Sequence, residues 1–312
     1  MGQQFAHISD PHLSSLEDVR ALQLFSKRLL GYLSWRRKRR FEHRREVLEA
    51  LGTDLQRDFP DQLVISGDLT HIGLPEEFEQ ARDWLQDLGA PEQVALVAGN
   101  HDACVKLPWG QGLALWADYL RGDVAATAGQ PIDYPTLRRR GDISFIGLNS
   151  ACPTAPLMAT GTLGTEQLSA LGDALDEARK RGSFRVVYLH HCPLPGVDKW
   201  RKRLTDAPEL QNLLQHHGAE LILHGHGHRS LDLVMDSHDG EIPVLAVPSA
   251  SALGRHSEPA AYNRFWLEKV EDGWQLDIER RSYEGQEAGF VHAGLSTLKI
   301  RRSLPPPSPV SP

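Results

Sequence analysis

Short apolar runs alternate with amphipathic stretches through most of the chain. Five runs are followed at once by polar residues and predict buried strands: FAHIS, QLVISG, QVALVAG, RVVYLH and AELILHG. The stretches EEFEQARDWLQDL, TEQLSALGDALDEARKR and APELQNLLQHHG have the apolar spacing of helices. Strands that alternate with helices predict a layered α/β architecture.

The chain after these runs reads as strands joined by tight turns. RSLDLVMD, IPVLAVPSA, NRFWLEKVE and WQLDIERRSYE have strand character, and we expect them to extend a second sheet. There is no internal repeat and no convincing linker, so we predict one domain over residues 1–300. Residues 301–312 are rich in proline and serine and predict a disordered tail.

Five polar blocks stand directly after the first five strands. Because the carboxyl ends of parallel strands meet at one edge, we expect these blocks to gather at the carboxyl edge of one sheet. Each block alone is ordinary turn chemistry, and only the ordered set is specific. The blocks are Asp10-Pro11-His12, Gly67-Asp68, Gly99-Asn100-His101-Asp102, His190-His191 and Gly225-His226-Gly227-His228.

These residue types suit a pair of divalent metal ions. Two ions about 4 Å apart need a bridging carboxylate, and imidazole, carboxylate and amide oxygen fill the remaining positions. Such a pair lowers the pKa of a bridging water, and the resulting hydroxide attacks phosphorus in line. The blocks therefore predict a two-metal hydrolytic site.

The ordered set resembles the calcineurin-like metallophosphoesterases, which include purple acid phosphatases, phosphoprotein phosphatases, class III cyclic nucleotide phosphodiesterases and DNA-repair nucleases. The resemblance runs from about residue 3 to about residue 250. It implies a four-layer α/β/β/α sandwich of two mixed sheets flanked by helices. It also implies two divalent ions, drawn from manganese, iron, zinc, nickel or cobalt, with manganese favoured.

The resemblance assigns a role to each residue of the blocks. It implies that Asp68 bridges the two ions, that His101 is an uncoordinated catalytic acid and that Asp102 orients it. His190 aligns with the family ligand, which leaves the adjacent His191 as a substrate or supporting contact. The other implied ligands are Asp10, His12 and His228 for one ion, and Asn100 and His226 with His190 for the other.

A basic stretch at about residues 17–45 separates the first two blocks. From Arg20 to Arg45 it holds ten Lys or Arg against one Glu, a net of about +9 in a chain of total charge −7. Apolar residues at helical spacing predict one amphipathic helix: Leu22, Phe25, Leu29, Tyr32 and Leu33. The charges predicted to face an anionic surface are Lys27, Arg28, Arg36, Arg37, Lys38, Arg39 and Arg40.

Three interpretations of this stretch stay open. It can lie on an anionic membrane surface, pack on the domain with solvated arginines, or bind nucleic acid. The acidic remainder of the chain, about −16, disfavours nucleic acid.

A closer resemblance bears on the substrate. The start FAHISDPH, the segment FSKRLLG and the later GNHD resemble the calcineurin-type UDP-2,3-diacylglucosamine pyrophosphatases, which implies a lipid-linked substrate. His190-His191-Cys192-Pro193-Leu194-Pro195 resembles the class III cyclic nucleotide phosphodiesterases, which implies a soluble nucleotide. A binding scaffold for anionic lipid or nucleic acid is the non-enzyme alternative, disfavoured because His101 and the ligands are present.

Composition and termini refine the expected setting. Three scattered cysteines with no C-x-x-C spacing favour free thiols in a reducing compartment. The first strand begins at once and leaves no room for a signal peptide, and no run of about 18 apolar residues occurs. We therefore expect a cytoplasmic enzyme that acts on a phosphorylated small molecule or lipid-linked substrate, peripheral to the inner membrane face if the basic stretch binds lipid.

Overall fold

The computed structural model describes residues 2–13, 15–124 and 129–301. The strands are Gln3–Ile8 (β1), Gln62–Ile65 (β2), Val94–Leu96 (β3), Thr136–Arg140 (β4), Ile143–Gly147 (β5), Phe184–Tyr188 (β6), Leu221–His224 (β7), Leu231–Ser237 (β8), Gly240–Ala246 (β9), Ala261–Val270 (β10), Gly273–Tyr283 (β11) and Phe290–Arg301 (β12). The α-helices are Arg28–Ser34 (α1), Arg40–Glu42 (α2), Arg45–Gln56 (α3), Pro75–Leu88 (α4), Ala117–Leu120 (α5), Thr165–Lys180 (α6) and Ala207–His217 (α7).

Each sheet has six strands and mixed pairing. The first has the order β12-β11-β10-β1-β2-β3, in which β1, β2 and β3 are parallel and β10 to β12 are antiparallel neighbours. The second has the order β4-β5-β6-β7-β9-β8, in which β5, β6, β7 and β9 are parallel and the outer strands are antiparallel.

Two expectations about sheet membership are wrong. The polar blocks do not share one sheet, because β1, β2 and β3 belong to the first sheet whereas β6 and β7 belong to the second. Only β8 and β9 extend the second sheet, since β10 pairs with β1. The carboxyl ends of both parallel sets nevertheless meet at one end of the sandwich, where the blocks converge.

The two sheets pack face to face and helices cover their outer faces. Strand β2 shows how alternation builds these layers: Val64 lies in the core between the sheets, whereas Leu63 and Ile65 pack in the core that contains α3 and α4. Leu171 of α6 and Leu210 of α7 cover the second sheet. The predicted α/β/β/α sandwich is therefore confirmed.

The basic stretch is a series of short pieces rather than the predicted single helix. A turn of 3₁₀ helix at Ala21–Leu24 precedes α1, and a π-helical turn at Trp35–Arg39 joins α1 to α2. The helix is broken where Phe25 is extended and Ser26 has a φ of 118°. Trp35 is buried in a small cluster with neighbours that include Ile72, which fixes the stretch to the domain.

The cations of the basic stretch divide into two sets. Four are exposed: Arg36, Arg37, Lys38 and Arg40. The other three are partly buried and contact the domain, and the role of all seven at an anionic surface stays a prediction. Lys27 Nζ lies 2.5 Å from the Thr154 hydroxyl, Arg28 Nε donates to the Ile72 carbonyl at 3.2 Å, and Arg39 lies beside His101.

The remaining sequence predictions have mixed outcomes. One domain over residues 1–300 stays a prediction, and the predicted tail lies outside the described residues except for Arg301, which ends β12. Cys104 and Cys152 are free, as is Cys192. Among the described residues, no helix combines the length and apolar character needed to cross a membrane.

Candidate metal centre

Unusual backbone conformations turn the polar blocks towards one point. Seven described non-glycine residues have φ in the left-handed region, a conformation that costs about 1–3 kcal/mol for a residue with a side chain. Five of the seven are predicted metal ligands: Asp10, His12, Asp68, His226 and His228. Strain of this kind concentrates at functional sites because the surrounding fold enforces it.

Glycines in the blocks allow neighbouring turns to approach closely. A Cβ on Gly67, whose φ is 96°, would lie 2.6 Å from the Gly99 backbone nitrogen. A Cβ on Gly225 would lie 2.6 Å from Asp10 Oδ2. These glycines therefore let two pairs of strand ends, β2 with β3 and β7 with β1, approach more closely than a larger residue would allow.

The first group of ligand atoms comes from the ends of β1 and β7. His228 Nε2 lies 3.0 Å from Asp10 Oδ1 and 3.3 Å from His12 Nε2. The His12 ring is fixed because Nδ1 donates to the Thr70 carbonyl at 2.9 Å, which leaves Nε2 as the ligand atom.

The second group comes from the ends of β2, β3, β6 and β7. His190 Nε2 lies 3.2 Å from Asn100 Oδ1, 3.2 Å from His226 Nδ1 and 3.3 Å from Asp68 Oδ2. The His190 Nδ1 hydrogen is held by the Ser66 carbonyl at 2.7 Å, so Nε2 faces the other ligand atoms.

The Asp68 carboxylate lies between the two groups. Its oxygens fall within 4.8 Å of ligand atoms of His12 and His101 on one side, and of His190 and His226 on the other. This is the position that a bridging carboxylate occupies between two ions.

The donor atoms fit divalent cations. Asp10 Oδ1 is buried and accepts no hydrogen bond, although His228 lies close. Burial lowers the pKa of His12 and His226 well below the ordinary value, so both rings are neutral, the form that binds metal. Burial would also lower the pKa of His190, but the Asp68 carboxylate outweighs it and raises that pKa to about 9. A cation is therefore favoured at this point.

His101 has one ring nitrogen held and one directed towards the centre. Its Nδ1 donates to the His71 carbonyl at 2.5 Å, and Nε2 lies 4.0 Å from Asp68 Oδ2. Burial, then the neighbouring Arg39 guanidinium, lowers the pKa of His101 well below the ordinary value. The neutral ring therefore presents an unprotonated Nε2.

The prediction that Asp102 orients His101 is wrong in its geometry. The Asp102 carboxylate accepts the backbone N–H groups of Asp68, Thr70 and Gly99 at 2.8–2.9 Å. It cannot also hold the His101 ring, which the His71 carbonyl holds instead. The buried Asp102 carboxylate therefore links the turns after β2 and β3 by hydrogen bonds.

His190, and not His191, lies among the ligand atoms. Both ring nitrogens of His191 have protein partners: Nδ1 lies 2.7 Å from the Ser150 hydroxyl and Nε2 lies 3.3 Å from the Ala159 carbonyl. Its ring packs on His226 with centroids 4.6 Å apart. His191 therefore supports a ligand rather than supplying one.

Two histidines near the centre were missed by sequence reasoning, and a third neighbour, Arg39, was predicted only as a surface charge. His43 and His71 pack against His12, with ring centroids 4.5 and 5.0 Å away. Arg39 reaches within 3.2 Å of His101 Nδ1. His71 could have been predicted, because it lies only three residues after Asp68 in the sequence. Arg39 and His43 lie in a run of basic residues that gives no sign of a metal centre.

A cavity of about 600 Å³ opens beside the metal centre. Its polar side carries Asn100 and His101, and its cations include Lys27, Arg39 and Lys202. Its apolar wall is formed by Leu30, Leu157, Met158 and Trp200. Leu157 and Trp200 are 68% and 62% exposed, so the wall continues to the protein surface.

Comparison with known families identifies the family to which the chain belongs. The family model of the calcineurin-like phosphoesterases matches residues 4–230, which contain all five polar blocks. The chain belongs to the calcineurin-like phosphoesterase family. The clusters of His and Asp around Asp68 all lie within the residues that this family model matches.

Relatives with phosphodiesterase names include two from Synechococcus. A probable cyclic nucleotide phosphodiesterase of Synechococcus sp. strain PCC 6301 is 33% identical over 58% of this chain and 63% of its own length, which is under two thirds of that relative. A probable cyclic nucleotide phosphodiesterase of Synechococcus sp. strain WH7803 is 26% identical over 85% of this chain and 91% of that protein. The family and the names of these relatives together indicate that the chain is a phosphoester hydrolase.

A dimetal phosphatase from Danio rerio has a similar structure. Its TM-score is 0.57 at 14% identity, over 96% of this chain and 99% of that chain. The likeness supports the two-sheet fold.

Proposed function

We propose that this calcineurin-like phosphoesterase is a two-metal phosphodiesterase. The observation that carries the proposal is the placement of Asp68 between two groups of ligand atoms at the edge of an open cavity. Bound there, two divalent ions supply a water nucleophile at neutral pH and neutralise the negative charge that develops on the phosphoryl oxygens.

The chain's own residues then have defined roles. Asp10, His12 and His228 would hold one ion, Asn100, His190 and His226 would hold the other, and Asp68 would serve both. His101 Nε2 carries the proton to the leaving oxygen. An anionic phosphodiester in the cavity favours the protonated ring and opposes the burial that lowers its pKa.

The cavity favours a diester with an apolar substituent. Leu30, Leu157 and Trp200 offer apolar surface, while Lys27 and Arg39 offer charge to phosphate. We propose a phosphodiester or pyrophosphate with a lipid-like portion, such as UDP-2,3-diacylglucosamine. The exposed basic residues would hold the protein at an anionic membrane on the cytoplasmic side, and manganese is the proposed metal.

A second candidate is a 3',5'-cyclic nucleotide. The names of the two Synechococcus relatives support it, and the exposed indole of Trp200 offers a surface on which a base can stack. This substrate needs neither the membrane nor the exposed cations.

The two substrates are separated by parallel assays with manganese on cyclic AMP, UDP-2,3-diacylglucosamine and bis(p-nitrophenyl) phosphate. A lipid-linked substrate is supported if UDP-2,3-diacylglucosamine has the highest kcat/KM, and a nucleotide if cyclic AMP does. Absence of turnover on all three, with liposomes or nucleic acid bound, would instead support a scaffold.

The apolar wall is tested with a matched pair of substrates, methyl and octyl p-nitrophenyl phosphate, which have the same leaving group. Each buried methylene contributes about 0.8 kcal/mol, so a few of them should lower KM by ten-fold or more. Trp200→Ala should reduce this preference, whereas substitution of Trp266, which lies on β10 and is not among the residues that line the cavity, should not. Equal KM for both esters would exclude an apolar subsite.

A further inference from the structure

His43 lies beside the first group of ligand atoms although it belongs to none of the five polar blocks. Its ring centroid is 4.5 Å from that of His12 and 5.5 Å from that of His228. The ligand nitrogens of these three residues all lie within 4.8 Å of one another. Three imidazoles from three separate segments therefore converge on one point.

The backbone around His43 is clamped to the loop after β9. The Leu253 N–H donates to the Glu42 carbonyl at 2.8 Å, and the Arg44 N–H donates to the Ser251 carbonyl at 2.9 Å. The Glu42 carboxylate accepts the backbone N–H groups of residues 254–256 at 3.0–3.1 Å. These hydrogen bonds fix the backbone on both sides of His43, and so they hold its imidazole beside the first group of ligand atoms.

A buried chain of hydroxyl groups orders the protons of His43. The Ser249 hydroxyl donates to the Asp10 carbonyl at 2.6 Å and lies 3.2 Å from the Ser251 hydroxyl. Because the Ser249 proton is committed, its oxygen can only accept, from the Ser251 hydroxyl and from His43 Nδ1, which also lies 3.2 Å away. The Ser251 oxygen, 2.9 Å from His43 Nδ1, then accepts the Nδ1 hydrogen. This order leaves the lone pair of His43 Nε2 free, as in histidines that bind metal.

We propose that His43 is a third imidazole ligand of the first metal position, beside His12 and His228. The inference rests on the two-ion centre of the proposed function. The first position then has three nitrogen ligands, whereas the second has His190 and His226 alone. Nitrogen-rich sites favour iron, cobalt, nickel or zinc, so the manganese of the proposed function belongs to the second position and one of these metals is preferred at the first. The two positions should therefore differ in affinity, with the first the tighter.

The test is a titration of the metal-free protein with Co²⁺, followed by visible absorption and calorimetry, and it does not depend on turnover. Wild type should bind a tight ion and a weaker one. His43→Ala should weaken the tight ion by about ten-fold or more and leave the weaker one unchanged, and Ser251→Ala should cause a smaller loss. His216→Ala, at an exposed histidine on α7, is the matched control and should change neither.

X-ray absorption of wild type with one equivalent of Co²⁺ provides a measurement that needs no variant. We expect three imidazoles per ion. Two imidazoles, or a His43→Ala protein with wild-type affinity for the tight ion, would overturn the proposal. Failure of wild type to bind any ion would instead overturn the two-metal function, so the two failures are distinguishable.

Discussion

Asp68 is the residue on which both proposed metal positions depend. It follows Gly67, where the backbone of Gly99 leaves no room for a side chain. The φ of 59° at Asp68 turns its carboxylate between the two groups of ligand atoms. One of its oxygens also accepts the backbone N–H of His101 at 2.7 Å. The bridge and the proposed acid are therefore positioned together.

Removal of this carboxylate should affect both ions at once. Asp68→Ala should abolish binding of the pair and reduce turnover to near background, while Asn100→Ala should weaken mainly the second ion. Metal content after gel filtration is the measurement. Retention of both ions by Asp68→Ala would show that the ligand groups are independent.

His101 should matter for proton transfer and not for metal content. His101→Ala should keep its ions and lower kcat by about 10²- to 10⁴-fold for an alkoxide or sugar leaving group. A p-nitrophenolate leaving group scarcely needs the proton, so the decrease in kcat for such a substrate should be small. An equal loss for both substrates would argue for positioning or charge stabilisation instead of acid catalysis.

Arg39 should contribute to phosphate binding. It is partly buried in the cavity wall, lies 3.2 Å from His101 and has no carboxylate within 4 Å among the described residues. Loss of a charged hydrogen bond costs about 1.5–3 kcal/mol, so Arg39→Gln should reduce kcat/KM about 10- to 100-fold. Arg40→Gln, at the exposed neighbour, is the matched control. Equal, small effects of both substitutions would refute a phosphate contact.

At the scale of elements, the basic stretch combines exposed cations with exposed apolar groups. Leu22 and Phe25 are 80% and 76% exposed, and Leu29 is 46% exposed. These values agree with a surface that contacts lipid, although the predicted continuous helix does not form.

Neutralising the exposed cations tests this surface separately from the metal centre. Arg36, Arg37, Lys38 and Arg40 are replaced together by Gln, and Arg39 is kept because it lines the cavity. If each cation contributes about 1 kcal/mol near an anionic surface, the variant should no longer sediment with anionic liposomes at low salt. Hydrolysis of bis(p-nitrophenyl) phosphate should stay close to wild type.

Leu29→Asp should also weaken liposome binding, because burial of apolar groups supplies the rest of the attraction. Binding of DNA or RNA by wild-type protein that does not bind liposomes would contradict the membrane interpretation. Binding to neither would leave the stretch as a packed structural element and favour a soluble nucleotide substrate.

Features that depend on local sequence patterns were predicted, whereas features that depend on tertiary contacts were not. Strands such as β2 and helices such as α4 were predicted because their periodicity is local. The break at Ser26 was missed because the burial of Trp35 against Ile72, a tertiary contact, determines the path of the basic stretch. For the same reason, no local pattern marked Arg39 or His43 as neighbours of the metal centre.

At the scale of the whole molecule, the metal centre joins the two sheets. Asp10 and Asp68 follow strands of the first sheet, whereas His190 and His226 follow strands of the second. The polar blocks were found from sequence because each ends a recognisable strand. Their division between sheets was not, since strand pairing depends on contacts far apart in the chain, such as β1 with β10.

The most direct test of the account is a joint measurement of metal content and activity as divalent metal is added back to chelated protein. We expect hydrolysis of bis(p-nitrophenyl) phosphate to rise with occupancy of the second ion and to reach its maximum at about two ions per chain. Full activity in protein that holds one ion or fewer would contradict the two-metal centre around Asp68.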